Sequence, residues 1–176
     1  MSLSETSVTV THQQATDTDT VPSLLRRAVS GVLRNAQNGD LPLFTWTLGL
    51  PQSELLHLLR SLFPEIEPVA PMAEKQYQRL LDMCPSDFCA MRNMLQQYRD
   101  PEQSERQATW LAHAITCACY GEHDLWQELD LGQQNDLSHL LHQYFPALYS
   151  RLSQSQDWKK ALLHVFYSAD PGPLRH

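Results

Sequence analysis

Cysteine and histidine are the residues of this 176-residue chain best suited to metal chemistry. Cys117 and Cys119 lie together with His113 in one apolar segment, and His123 follows directly after it. Thiolate sulfur and imidazole nitrogen are the ligands that zinc sites use, and thiolates hold iron–sulfur clusters. The first functional hypothesis is therefore metal binding by this segment.

Helical geometry limits which of these side chains can meet. Cys117 and Cys119 point about 200° apart on a helix that turns about 100° per residue, so one helix cannot direct both at one ion. His113 with Cys117, and Cys119 with His123, have the i, i+4 spacing that places two ligands on one face. The second pair requires the helix to continue past Gly121. The alternative interpretation is that these thiols are free and pack the core.

Two more thiols, Cys84 and Cys89, flank a predicted helix restart at Pro85, where a loop could direct both at one ion. Two thiolates are half of a tetrahedral site, so further ligands would have to come from elsewhere in the fold. The alternative is that both are small residues packing a helix junction. Reduced thiols or metal ligands are expected here rather than a disulfide framework.

A third candidate is Trp158-Lys159-Lys160 at the predicted start of the last helix. Free backbone amides and ammonium groups at such a position suit an oxyanion such as molybdate or phosphate. The alternative is that Trp158 anchors the helix while both lysines face water. No Gly-rich phosphate loop, Ser/His/Asp arrangement or His-Glu-x-x-His pattern is present, so the sequence predicts no enzyme.

Helices must position all of these residues. The chain has only 6 glycines and almost no β-branched runs, which predicts an all-α, single-domain bundle of about six to eight helices. We expect a disordered tail over 1–20, a helical domain over 21–170 and a flexible end over 171–176. The central helix is predicted over 105–120, with a capping box formed by Ser104 and Gln107 and a left-handed end at Gly121. It should be buried along at least one broad face.

The chain also contains an internal repeat. Residues 55–64 and 137–146 agree at six of ten positions, and each copy follows a Leu-x-Leu turn and ends in Phe-Pro. Two copies are too few for a solenoid, so the repeat predicts two equivalent helix-and-turn corners in one bundle.

Charge and hydropathy exclude several classes of partner. A net charge of −7 with a pI near 5.5 argues against nucleic acid, which requires a basic surface. No stretch approaches the roughly 18–20 apolar residues that span a membrane, and the amino terminus lacks a signal pattern. We therefore expect a soluble, cytoplasmic protein with no membrane partner.

The order and spacing of several blocks resemble the NifQ family of nitrogen-fixation accessory proteins. The blocks are Trp110-Leu111-Ala112, Ala118-Cys119-Tyr120-Gly121, Leu125-Trp126-Gln127-Glu128-Leu129, Asp136-Leu137-Ser138, Phe145-Pro146-Ala147-Leu148 and Trp158-Lys159-Lys160. The resemblance covers 105–165, and more loosely 48–64. It implies a helical cytoplasmic protein that carries molybdenum, with iron and sulfur, toward assembly of the nitrogenase iron–molybdenum cofactor.

This sequence departs from the family pattern in two places. The family continues into a tail of the form Cys-x4-Cys-x2-Cys-x5-Cys, thought to hold the iron–sulfur cluster, whereas no cysteine follows Cys119 here. The family histidine before Leu-Trp-Gln is replaced by Asp124, with His123 one place earlier. An iron–sulfur cluster held in the usual manner is therefore not expected.

Two hypotheses follow from the resemblance. In the first, the protein handles molybdate, and Cys84 and Cys89 stand in for the lost thiols beside Cys119, His123 or Asp124, Trp126, Lys159 and Lys160. In the second, it is a metal-free helical chaperone or adaptor that matures a metalloenzyme, and Trp126, Gln127 and Trp158 are structural or partner-facing. Its partners under either hypothesis are other cofactor assembly proteins or a molybdoenzyme.

Overall fold

The computed structural model describes residues 20–169, which form an all-α bundle and confirm the predicted fold class. In chain order its elements are α1 (Val21–Gln37), a 3-10 turn (Leu43–Thr47), α2 (Gln52–Leu62), α3 (Glu74–Asp82), α4 (Ser86–Gln97), α5 (Glu105–Ala118), α6 (Leu125–Glu128), α7 (Gln134–Tyr144), α8 (Pro146–Leu152) and α9 (Trp158–Ala169). The tail predicted over 1–20 lies outside the described residues except for Thr20, and the end predicted over 171–176 lies wholly outside them. The extent of the helical domain, 21–170, stays a prediction.

Helix α5 is the centre of the bundle. Every residue from 110 to 118 is buried, because α1, α4 and α6 all pack against this helix. A helix that is enclosed on all sides needs small or apolar residues around its whole circumference, not along one stripe. The prediction that α5 is buried along at least one broad face is therefore confirmed, and residues 110–118 are buried on every side.

Only half of the predicted capping box at the start of α5 is observed. The Ser104 hydroxyl accepts a hydrogen bond from the backbone N–H of Gln107 at 3.2 Å, as an N-cap should. The Gln107 side chain instead accepts from the Tyr144 hydroxyl of α7 at 2.9 Å. A tertiary contact has thus replaced the local reciprocal bond.

The two repeat copies do form equivalent corners, as predicted. Each begins with a residue of positive φ, Gly49 (70°) in the first copy and Asp130 (55°) in the second. Helices α2 and α7 have 11 residues each and end at a phenylalanine of nearly the same conformation, Phe63 (φ −128°, ψ 60°) and Phe145 (φ −136°, ψ 63°). The similar local sequence therefore produces similar local geometry in both places.

Aromatic rings anchor the 3-10 turn to the central helices. Phe44 makes edge-to-face contacts with Phe88 of α4 and with Tyr120 beyond α5, with ring centroids 5.5 and 5.4 Å apart. Such contacts contribute about 0.5–1.5 kcal/mol each beyond the apolar area they bury. They hold the first repeat corner against α5, next to His113.

Among residues 20–169, no helix has the length and apolar character needed to cross a bilayer.

Candidate functional site

The four predicted thiol ligands are free cysteines in different environments. Cys117 is buried in α5 and Cys119 is half-buried at its end, while Cys84 is half-buried and Cys89 is exposed at the start of α4. Cys84 lies close enough to Cys89, Cys117 and Tyr120 to interact with them electrostatically. The fold thus brings Cys84 toward the α5 thiols, which the sequence could not determine.

Burial keeps three of these thiols protonated. It raises the pKa of Cys84 to about 11 and that of Cys119 to about 12, although the nearby Lys159 ammonium partly offsets the rise at Cys119. The pKa of Cys117 is raised well above its ordinary value for the same reason. Because the thiolate is the form that acts as a nucleophile, these thiols are weak nucleophiles near pH 7.

His113 is a core residue with a partner inside the protein. Its Nδ1 lies 2.7 Å from the Leu48 carbonyl oxygen, and its ring packs 5.8 Å from the Phe88 ring. Burial lowers the pKa of His113 to about 4, so near pH 7 the ring is neutral and Nδ1–H donates to Leu48. His113 and Cys117 share a face of α5, as their spacing predicted, but that face lies inside the core.

His123 lies in the loop of residues 119–124 between α5 and α6, which we call the α5–α6 loop. Its backbone N–H donates to Glu128 Oε2 at 2.7 Å, and its ring Nδ1 lies 3.0 Å from the same oxygen. The Glu128 side chain is only 1% exposed, whereas that of His123 is 62% exposed. Helix α5 ends at Ala118, so Cys119 and His123 do not share a helical face.

Lys159 of α9 binds the same loop from outside. Its ammonium donates to the Gly121 carbonyl at 2.6 Å and also to the His123 carbonyl. The predicted oxyanion ligand is therefore already bound to two backbone oxygens of the α5–α6 loop. Lys160 has no such partner: its backbone N–H donates to Asp157 Oδ1 at 3.1 Å, and its side chain is exposed.

Gly121 is required for space and not for a left-handed backbone, which corrects the sequence prediction. The positive φ values within residues 20–169 belong to Leu48, Asp130, Gly39 and Gly49. A Cβ added at Gly121 would overlap the Glu128 carboxylate. The glycine allows this buried carboxylate to reach the loop amide.

The remaining predicted residues stabilise the two helix starts. Asp124 precedes α6, and its N–H donates to the Gln127 side chain at 3.1 Å, while Trp126 is half-buried against the core. Trp158 is buried at the start of α9, where its indole N–H donates to the Ser155 carbonyl at 2.9 Å. These contacts agree with a structural role and do not test a partner-facing one.

Three polar residues near these sites escaped the sequence analysis. Nothing in the sequence marks Glu128 as a buried residue, because a single Glu in a helical segment is most often exposed on the surface. His164 could have been found, since it lies four residues after Lys160 and so shares its helical face. Arg151 could not have been found in this way, because it lies on α8, and only the fold brings α8 beside α9.

The thiols do not form a site for an iron–sulfur cluster. Among residues 20–169, no three or more His, Cys, Asp or Glu side chains are grouped so as to hold a metal ion. Cys117 is enclosed in the core, and Cys119 leaves the helix about 200° away from it. The donor set present therefore does not fit the cluster that the family tail is thought to hold.

Comparison with known proteins decides the family. A family model described as NifQ matches residues 25–169. The chain belongs to the NifQ family. Protein NifQ of Azotobacter vinelandii is 28% identical over 152 residues, which cover 80% of this chain and 75% of that protein. No solved structure matches the chain.

NifQ membership makes the chain a nitrogen-fixation accessory protein of a family generally linked to molybdenum. The NifQ match reaches from α1 to α9. Blocks of the resemblance that are distant in sequence meet in space at the α5–α6 loop, where Lys159 contacts Gly121 across 38 residues of chain. At this loop, therefore, the block of residues 118–121 contacts the block of residues 158–160.

Proposed function

We propose that the protein carries molybdenum, received as molybdate, to the proteins that assemble the iron–molybdenum cofactor or another molybdoenzyme centre. The observation that carries this proposal is the NifQ match, which covers the helical bundle from α1 to α9. The protein acts in the cytoplasm as a carrier and not as an enzyme. Its partners are other cofactor assembly proteins or the molybdoenzyme itself.

The arrangement of the thiols supports an oxyanion as the cargo. A thiolate-bound metal centre needs several ligands directed at one ion, and among residues 20–169 no three or more His, Cys, Asp or Glu side chains are grouped in that way. Molybdate instead needs cationic groups and hydrogen-bond donors. Exposed cations, Lys160 among them, are present near α9.

The test is metal analysis of protein purified without oxygen from cells supplied with molybdate. Molybdenum, iron and zinc are measured on the natural protein and on a triple variant with Cys84→Ser, Cys89→Ser and Cys119→Ser, after circular dichroism has shown that both are folded. We expect stoichiometric molybdenum in both samples, because an oxyanion does not depend on thiolates.

The other outcomes separate the hypotheses. Molybdenum that disappears only from the triple variant would keep the carrier function and assign the cargo to the thiols. Folded protein without molybdenum in both samples would contradict the carrier function.

A metal-free adaptor is the second candidate, and the exposed apolar side chains favour it. Among the residues described, most of the large exposed ones occur between positions 43 and 83: Leu43, Trp46, Ile66, Val69, Met72 and Met83. Exposed apolar groups of this kind are common at protein interfaces. Molybdenum-free protein that still supports maturation of the metalloenzyme would favour this function.

A further inference from the structure

An open cleft of about 400 Å³ lies between the end of α8 and the first half of α9. It is lined by Arg151, Ser155, Lys160, Ala161, His164 and Val165. Arg151 and Lys160 are cations, and His164 becomes one on protonation. The chain as a whole has a net charge of −7, so this local excess of positive charge contrasts with the rest of the molecule.

No carboxylate in the described part of the chain forms an ion pair with these groups, although the Asp157 carboxylate accepts a hydrogen bond from the Lys160 backbone N–H at 3.1 Å. The ion pairs found between residues 20 and 169 join Arg26 to Glu65, Arg34 to Asp130, Arg106 to Glu54 and His123 to Glu128. None of them involves a residue of the cleft. Such a cleft attracts anions from solution.

Helix stability does not explain Lys160. The first turn of α9 contains two lysines and no acidic residue, although the positive end of the helix dipole disfavours cations there. Lys159 offsets this cost by binding two carbonyls of the α5–α6 loop. Among residues 20–169, no hydrogen bond or ion pair engages the Lys160 ammonium, which is therefore available to a ligand.

One donor of the cleft, the Arg151 guanidinium, is held in place by a neighbouring side chain. Arg151 is fixed by one guanidinium nitrogen, Nη1, which donates to the Tyr98 hydroxyl at 2.6 Å. Its other N–H groups remain available in the planar fork that matches two oxygens of an oxyanion. Lys160 and His164 are one turn apart on the same face of α9. Ser155 also lines the cleft, and its hydroxyl donates to the Asp157 carbonyl at 3.2 Å.

We propose that this cleft is a binding site for a tetrahedral oxyanion dianion and, resting on the proposed function, that molybdate is its cargo ligand. Three donors that line one cleft suit one compact dianion. An extended acidic peptide would need a row of cations, whereas the rest of the lining is uncharged: Ser155, Ala161 and Val165. The assignment replaces the predicted pair of adjacent lysines with Lys160, Arg151 and His164.

The experiment is isothermal titration calorimetry of the full chain at low ionic strength, with sodium molybdate, sulfate and phosphate titrated in turn. The test variant is Lys160→Gln with His164→Gln, which leaves the Arg151 contact with Tyr98 in place. The matched control is Lys75→Gln, which removes the same charge from the exposed surface of α3. Circular dichroism and urea unfolding establish that all three proteins are folded.

We expect the double variant to bind molybdate about tenfold more weakly or worse, because charge-assisted donors are lost. The Lys75 control should bind like the natural chain, and added salt should weaken binding. Equal affinity in the double variant and the natural chain, or binding of none of the three anions, would overturn the cleft assignment. Molybdenum retained after purification despite such a result would leave the carrier function standing. Equal binding of sulfate, phosphate and molybdate in the cleft would support the oxyanion site and remove its support for molybdate transport.

Discussion

At the scale of single residues, side chains able to bind metals here contribute to the fold. His113 fixes the first repeat corner through the Leu48 carbonyl, and Cys117 fills space between helices. Glu128 is a buried carboxylate that organises the α5–α6 loop through the His123 amide. Residue type gave the chemical possibilities, and the surroundings of each residue selected among them.

His113 should make the protein less stable in mild acid. Its pKa is about 4 in the folded protein and near 6.5 when unfolded, so between these values the unfolded chain binds the additional proton. The contribution of His113 to the free energy of unfolding is thus fully present above about pH 6.5 and is lost as the pH falls toward 4. The total loss is about 3 kcal/mol, because each pH unit in this range costs about 1.4 kcal/mol.

Urea unfolding between pH 4.5 and 7.5 measures this effect, with His113→Asn as the comparison. Asparagine can still donate a hydrogen bond toward Leu48 but does not titrate, so the variant should lose less stability on acidification. The carboxylates common to both proteins cancel in the difference. If the free energy of unfolding depended on pH in the same way in both proteins, this role of the buried imidazole would be refuted.

At the scale of elements, α9 secures the α5–α6 loop. Lys159 approaches from α9 and occupies two loop carbonyls, while Glu128 at the end of α6 binds the His123 amide. The loop is thus fixed from both sides by elements that follow it in the sequence. Its conformation depends on α9 being docked.

Replacing Lys159 should loosen this loop, and replacing its neighbour should not. Lys159→Gln removes the ammonium bonds to Gly121 and His123, at a cost of about 1–2 kcal/mol, given that these carbonyls are partly accessible to water. Amides of residues 120–124 should then exchange hydrogen faster, because the loop opens more often.

The matched control is Lys160→Gln, which removes one charge from the next position, where the ammonium has no hydrogen bond or ion pair with the described residues 20–169. Its free energy of unfolding should stay within about 0.5 kcal/mol of the natural value. Equal losses of unfolding free energy in the Lys159 and Lys160 variants would show that the removed charge, and not the contact with the loop, determines the change in stability.

At the scale of the whole molecule, the core is continuous. Buried side chains form one cluster that begins with Leu24 in α1, includes Trp110 in α5 and ends with Phe166 in α9. A shared core favours cooperative unfolding, because exposing one helix removes packing from the others. This is the expected behaviour of the single helical domain predicted over 21–170.

Two single-tryptophan proteins can test this cooperativity. One retains Trp110 in the central helix and the other retains Trp158 in α9, with the remaining tryptophans replaced by phenylalanine. We expect the urea midpoint from fluorescence to agree in each protein with the midpoint from far-ultraviolet circular dichroism. A separate, earlier transition at Trp158 would mean that α9 unfolds as an independent unit.

The local features of this protein can be read directly from its amino-acid sequence. Helix positions, the Ser104 cap and the two repeat corners follow from periodicity, from Pro and Gly boundaries, and from backbone preferences that operate over a few residues. The family was also recognisable, since its blocks keep their order and spacing along the chain. These patterns can be recognised without knowledge of the fold because each one lies within a short segment of the chain.

The role of each local feature, in contrast, depends on its surroundings in the folded protein. Ile66 and Leu148 occupy the same place after Phe-Pro in the two repeat copies, yet Ile66 is 56% exposed and Leu148 is fully buried. The second corner continues into α8, on which α9 packs, while the first continues into a link without a helix. Likewise, Lys159 and Lys160 are adjacent in the chain, but one binds a loop and the other faces the cleft. Burial and charge pairing depend on segments far apart in the chain, so short-range patterns cannot specify them.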